Sequence, residues 1–502
     1  MPNILNLAMI MKLFRENRAL LIVVVFFAAV YALISVVNHY YFRTYALDLG
    51  AYTNAIWDYA HFQWNDSMAF KAAAENLLAD HFDLYLLTFS PFSWIFGTYT
   101  LLILQICFVL FGGIGVYRYF QLSDKTSSYA LYASIYYYLF FGLISALSFD
   151  YHSNTVAATL VPWLFYFVKR EKVIASSLML LALLVAKENI SLWVSFICLS
   201  LMIEMWRRPF WRYYMASASV FSILYFMLIT SWVMPALANQ HAYPHFHYSV
   251  LGSKPAEAIM YMLAHPLDSI QAFFINHTGN PDGNYVKLEF LILLIVSGAY
   301  ILFRKPAYII MLIPLFFQKF YHDNIGMWGI SSHYSVEFAP ILAIGIFSSI
   351  ASFRRSALRK ILIILSLGGC LLATLRIMDR TVMHTDKSRI RIYQASHYKK
   401  DYDVRKAHQA LKMIPDDAVV CAQSPFLPHL SLRDHIYQFP MVKDAEYIVI
   451  SSKENPYPLT QEAFDLTIDE IMTSGQWEQL YGDDGLYILK RSPLLSIPHP
   501  SP

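Results

Sequence analysis

The sequence predicts an all-α polytopic membrane protein with a small α/β domain at its C-terminal end. Three observations lead there. Of 502 residues, 57% are hydrophobic and 16% aromatic while 15% are charged, and the mean hydropathy is +0.42; ordinary soluble domains are less apolar. Short basic connections alternate along the chain with longer ones rich in His, Asp and Asn. After Leu375 no run is long enough to span, and charged, Pro-punctuated segments take over.

The first apolar run, Ala19 to Asn38, follows Lys12, Arg15 and Arg18. A secretory h-region is about 7 to 15 residues long, so this longer run reads as an uncleaved first span. At about 20 apolar residues per helix, about eleven spans are expected, near 19–38, 99–117, 129–148, 154–168, 173–186, 190–205, 213–234, 288–303, 306–321, 336–352 and 361–377. With the N-terminus cytoplasmic, the connections Arg118 to Lys125, Lys169 to Lys172, Arg207 to Arg212, Arg304 to Lys305 and Arg354 to Lys360 are all cytoplasmic and basic, as the positive-inside rule asks. The opposite set, 39–98, 149–153, 187–189, 235–287 and 322–335, then faces out.

This organisation places a transmembrane domain at 1–379, with long outer loops 39–98 and 235–287, an extracytoplasmic α/β domain at 380–490, and a flexible tail at 491–502. Within the α/β domain, 401–414 and 461–472 have helical spacing, 417–422 and 445–451 read as strands, and 476–490 as a hairpin about a Gly/Asp turn. Net charge is only +3 and the basic residues are scattered, so nothing resembles a nucleic-acid footprint. Cys107, Cys198 and Cys370 lie in apolar runs and Cys421 stands alone, which suggests neither a disulfide framework nor a zinc site.

An ionisable side chain at mid-bilayer costs about 2.5 to 3.5 kcal/mol, so those flanking apolar runs are the informative ones. "LLVAKENISLW" places Lys187 and Glu188 between two runs. Neighbours on a helix point about 100° apart, so each is expected to find another partner; two solvated charges at a surface turn are the alternative. Asp150 and His152 fall in one tight turn, His333 and Tyr334 just before a run, and Asp80, His81 and Asp83 in the first long loop. No HxxxH or HxxE spacing makes a strong metal motif of them. Asp48, in "LDLGAYTNAIWDYA", has two readings. It is an N-cap for the following helix, or a working carboxylate in a loop of about sixty residues whose amphipathic pieces, 52–63 and 68–79, suit the membrane interface.

The segments "LDLGAYTNAIWDYAH" (47–61), "LLADHFDLYLLTFSPF" (77–92), "TLLILQ" (100–105), "FDYH" (149–152), "AKEN" (186–189), "SVLGSKPAEAIMYMLAHP" (249–266), "SSHYSVEFAP" (331–340) and "IPDDAVVCAQSPFLPHLSLRDHIYQFP" (414–440) resemble, in this order, a bacterial family of predicted membrane proteins catalogued as a domain of unknown function. That family is itself similar to the GT-C glycosyltransferases. The resemblance implies a multi-pass protein of the cytoplasmic (inner) membrane that transfers a sugar from a polyprenyl-phosphate donor on the extracytoplasmic face to an acceptor the sequence does not identify. Membrane lipids would be its other partners. Asp48 is then the loop-one acid and candidate base, although Leu-Gly follows it where many such enzymes carry a paired acidic motif. Lys187 is the candidate phosphate partner, His81, His152, His333 and Tyr334 line the substrate, and Glu188 orients a partner, ligates a metal or exchanges roles with Asp48. A divalent cation such as Mg or Mn is the candidate cofactor. A transporter or flippase, whose polar residues serve a substrate path, and a non-catalytic envelope assembly protein are the competing readings.

Overall fold

The computed structural model describes residues 17–71, 73–123 and 128–492. The protein is mostly helical, 63% of it, with one small sheet near its C-terminal end. Helix is what the apolar segments must form, because in hydrocarbon each backbone N–H and C=O has to pair within its own segment. Among the described residues four helices are long and apolar enough to cross a membrane: Arg18–Tyr40, Tyr85–Gln121, Pro209–Leu237 and Ser356–Asp379. The pair Tyr129–Leu139 and Phe141–Leu147, bent by 45° at its break, makes a fifth if it is one broken span.

The expected eleven spans are therefore four to five. The other apolar segments are helical but shorter: 17 residues each in Ser153–Lys169 and Glu188–Glu204, 12 in Val173–Leu184, 11 in Val286–Val296, and 14 each in Ala307–Phe320 and Phe338–Ala351. At 1.5 Å per residue a 14-residue helix reaches about 21 Å, against a hydrocarbon core of about 30 Å. In Phe338–Ala351 the apolarity serves the protein interior, whereas Ile174, Leu178 and Leu181 of Val173–Leu184 are 57–79% exposed. Every residue from Phe338 to Ile350 is buried, so this helix is surrounded by its neighbours, and hydropathy reads such a helix and a lipid-facing one alike. Side chains tie the pieces together: Tyr31 Oη donates to Tyr138 O (2.6 Å) and Trp193 Nε1 to Met311 O (3.1 Å). A Cβ on Gly369 would lie 1.8 Å from Val296 O, so the last span passes directly against the end of Val286–Val296, a close approach that small residues permit.

Two expectations for the first long loop change. The piece expected at 52–63 is a helix, Ala51–Ala60, but most of it is buried beneath the C-terminal region: Asn54 Nδ2 donates to Arg433 O (2.8 Å) and Trp57 Nε1 to Asp434 Oδ1 (2.9 Å). It therefore covers protein and not lipid. The piece expected at 68–79 is not an α-helix in its described residues. It holds an isolated bridge between Ser67 and Glu75 and a 3-10 turn at Leu77–Ala79. Asn65 and Asn76 explain the difference. Asn76 Nδ2 donates to Asn65 O (2.6 Å), and Asn65 Oδ1 accepts from Leu77 N (3.0 Å), and such side-chain bonds compete with helical ones.

The C-terminal sheet has five strands, β1 Val420–Ala422, β2 Ile436–Gln438, β3 Tyr447–Ser451, β4 Trp477–Asp483 and β5 Leu486–Arg491, in the order β2-β1-β3-β5-β4. β1 runs parallel to β2 and β3, while β3–β5 and β4–β5 are antiparallel. The helices Val404–Leu411 and Gln461–Thr473 begin at Asp403 and Thr460, whose side chains accept first-turn N–H bonds. Alternation sorts the strands between two cores. Val420, Ala422, Val449 and Ile488 join the core of the helical region, whereas Cys421, Ile448, Ile450 and Leu489 form a separate one. One sheet face is thus seated on the helices, and Gln438 N donates to Ala69 O (2.7 Å), binding the first loop to the sheet's edge. Of the tail expected at 491–502, residues 493–502 lie outside the described residues.

Candidate functional site

Beyond the span Arg18–Tyr40 the chain turns through Phe42, at φ +53°, and Arg43 anchors the stretch after it. Its guanidinium donates to the carbonyls of Ser396, His397 and Lys399 at 2.5–3.0 Å. Residues Ala46–Gly50 then form one wide π-turn, and Asp48 sits in its middle. Its carboxylate caps neither this turn nor the helix Ala51–Ala60, so the N-cap reading is overturned: a residue inside the turn points away from the free N–H groups that a cap accepts. Asp48 Oδ1 lies instead 3.3 Å from His152 Nε2.

His152 comes from a second turn, which Asp150 shapes. Asp150 adopts φ +43°, a left-handed backbone that Asp tolerates better than most residues. Its carboxylate accepts from Tyr45 N (2.9 Å) and from Arg389 Nη2 (2.8 Å), so one buried acid joins the Asp48 turn to the segment after the last span. Gln105 completes the frame, donating to Asp150 O (3.0 Å) and accepting from His152 N (2.9 Å). The His152 ring stacks on His333 with centroids 3.5 Å apart, and Tyr334 lies 4.1 Å from His333. The His333 loop is held by Lys319, whose ammonium donates to Met327 O, Gly329 O, Tyr334 O and Ser335 Oγ.

A second group gathers around His81. Lys187 Nζ lies 3.1 Å from His81 Nε2, and Glu188 Oε1 3.4 Å from His81 Nδ1. An ammonium only donates, so in the neutral form of the ring Nε2 accepts and Nδ1 carries the proton, toward the carboxylate. Lys187 and Glu188 thus do not pair with each other; they hold opposite edges of one imidazole. Glu188 Oε2 also accepts from Phe82 N (3.2 Å). His245 stacks on His81 at 4.3 Å and donates from Nε2 to Asp80 O (2.6 Å).

The two groups act on one another electrostatically. Burial alone pushes the Asp48 carboxyl up, but His152, by charge and hydrogen bond, and then His81 and Lys187 outweigh it and hold the group below its ordinary value. Burial drives His333 well below the usual imidazole range, and His152, Lys187 and His81 add to that. His245 is lowered to about 4 by burial and by His81. Asp83, fully enclosed beside them, is pushed up to about 7 by burial even though Tyr85 N and Tyr151 Oη donate to it.

Asp48, His81, His152, Lys187, Glu188, His333 and Tyr334 therefore come together from five separate stretches of chain. Three further residues bear on them without having stood out in the sequence: His245 against His81, Arg389 against Asp150, and Lys319 beneath His333. Asp80, His81 and His245 have ligand atoms within 4.8 Å of one another, and two imidazoles with a carboxylate are donors suited to a transition-metal ion more than to Mg. Lys187 competes with such an ion for His81 Nε2.

The family model described as "Predicted membrane protein (DUF2079)" matches residues 38–488, and the chain belongs to that family. No match to a curated protein is found.

Proposed function

We propose that this predicted membrane protein is a GT-C-type glycosyltransferase of a bacterial inner membrane, acting on its extracytoplasmic face with a polyprenyl-phosphate sugar as donor. The observation that carries the reading is the Asp48 carboxylate, ionised at neutral pH, 3.3 Å from His152 and within charge reach of Lys187 and His81. In the proposed step an acceptor hydroxyl attacks the anomeric carbon. A glycosidic C–O bond forms, the bond from that carbon to the lipid-phosphate oxygen breaks, and Asp48 takes the acceptor's proton as general base. The departing phosphate keeps the bonding electrons, and Lys187 meets its charge.

His152 and His333 donate to the sugar in this reading, Tyr334 flanks it, and Glu188 orients His81. A divalent cation, where one takes part, belongs between Asp80, His81 and His245. The orientation rests on the basic connections: N-terminus cytoplasmic, residues 380–490 outside. Reporter fusions at Ser356 and Ser424 test it and should label opposite faces. The chemistry is tested with the purified full chain and a radiolabelled polyprenyl-phosphate sugar. Binding or turnover supports the proposal; neither, in folded protein offered a range of donors, sinks it.

A further inference from the structure

The chain between residues 235 and 287 contains two short helices, Pro255–Ala264 and Pro266–Phe274, joined at His265. Successive helical residues turn by about 100°, which puts Ile259, Met260 and Leu263 on one side of the first and Leu267, Ile270 and Phe274 on one side of the second. All six are 57–78% exposed. Ala258, Ser269 and Ala272, on the opposite sides, are buried, and Tyr261, Met262 and Phe273 pack inward with them, so the six exposed side chains face away from the protein. An exposed apolar patch of this kind marks an interaction surface.

The hairpin's place in the fold indicates what covers it. Lys287 Nζ donates to Ala272 O (2.6 Å) and Ile275 O (2.8 Å), fixing the end of the second helix to the first turn of Val286–Val296. In that same turn Glu289 Oε1 accepts from Arg376 Nη2 (2.8 Å), three residues before the end of the span Ser356–Asp379. The hairpin is therefore tied at the level where a membrane-crossing helix ends. Next to the tie, Leu288 and Ile292 are about half exposed, 50% and 47%, and continue the apolar surface along the side of the bundle. No Lys or Arg occurs from 255 to 275, so electrostatic docking to an acidic partner or acidic headgroups is not what the surface is built for.

We propose that Pro255–Phe274 is an interfacial hairpin whose six exposed apolar side chains lie in the lipid of the outer leaflet, with the bilayer itself as their partner. The surface is independent of the sugar-transfer reading. It also differs from the interfacial helices expected at 52–63 and 68–79, which are a buried helix and a segment whose described residues form no α-helix. Because the apolar face is wide and uncharged, its seating should be insensitive to salt and to anionic lipid, unlike that of basic amphipathic helices.

The test uses the full chain with Cys107→Ser, which removes the exposed cysteine among the described residues, and a single fluorescent label on Leu263→Cys or on Ile270→Cys. Both side chains are exposed, so the substitutions cost little packing. Glu462→Cys, on an exposed position of the helix Gln461–Thr473, is the aqueous control. In zwitterionic phosphatidylcholine vesicles both hairpin labels should be quenched by acyl-chain bromines at a depth of about 5–10 Å below the headgroups, resist iodide, and stay so in high salt. The control should do the reverse. Iodide quenching of the hairpin labels equal to the control's would overturn the proposal, because the face would lie in water. Resistance to both quenchers would overturn it too, because protein would then cover the face.

Discussion

The Asp48 group and the His81 group each set a carboxylate against a stacked pair of imidazoles, and they differ in what else touches the ring. In the first, one carboxylate faces one imidazole edge, and that ring lies flat on a second imidazole between aromatic neighbours. Two stacked rings 3.5 Å apart cannot both carry charge cheaply, and His333 is accordingly driven toward its neutral form. In the second, an imidazole is clamped between an ammonium and a carboxylate, with another histidine and Asp80 alongside. The first arrangement leaves a carboxylate facing a single imidazole edge; the second sets an ammonium against one edge of the ring and a carboxylate against the other. Under the proposed function, that difference is the reason for giving base chemistry to Asp48 and phosphate contact to Lys187.

Asp48→Asn should break that assignment most severely. The amide keeps the shape but is not an effective base, so turnover should fall by roughly 10²-fold or more with the protein still folded. Full transfer activity would move the base to Glu188. Lys187→Met should act on the other half of the comparison. A charge-assisted hydrogen bond contributes about 1.5–3 kcal/mol, so donor affinity should fall on the order of 10- to 100-fold, with acceptor affinity unchanged; a lysine that is merely solvated would leave both alone.

Much of this site was legible because charged and imidazole side chains beside apolar runs are scarce, and each one asks for a partner. Asp48, His152, Lys187, Glu188 and His333 stood out for that reason. His245 did not, since it lies in "HAYPHFHYS" among three histidines of equal standing, and only the fold decides which of them stacks on His81. Arg389 was hidden likewise among the basic residues of "DKSRIRIY". The span count failed on another ground. Helices such as Phe338–Ala351 owe their apolarity to burial within the bundle, and composition carries no record of what surrounds a helix. The strand Ile436–Gln438 was missed because, unlike the equally short Val420–Ala422, no apolar run leads into it: Arg433, Asp434 and His435 precede it.

The remaining expected effects are smaller. Asp83 lies between the two groups, and burial raises its carboxyl from 3.8 to about 7. A raised pKa means that the folded chain binds the extra proton. Its contribution to stability is therefore complete below about pH 4 and is lost as pH rises through about 7, a change on the order of a few kcal/mol. Asp83→Asn should flatten thermal stability across that window, measured by unfolding of the detergent-solubilised chain; an unchanged slope would mean that Asp83 ionises freely. Lys319→Met sharpens the comparison least. It leaves the carbonyls under His333 without their donor, at about 1–3 kcal/mol each for those that find no water, and should disturb the Asp48 group while leaving donor binding at Lys187 intact.

The pairing of Asp150 with Arg389 sets a clock on the protein's own manufacture. The two residues are 239 positions apart, and at roughly 5–20 residues per second the acid waits on the order of 10–50 s for its guanidinium to be synthesised. Throughout that interval the turn bearing Asp48 is held only by Tyr45 on Asp150 and by the contact of Asp48 with His152, though the first span is already made. A chain released early, with its helices inserted but no residue 389, would enter the membrane with that turn held by those contacts alone. A segment synthesised long after the first loop thus completes what that loop began, and a product lacking it is left without the Asp150–Arg389 tie.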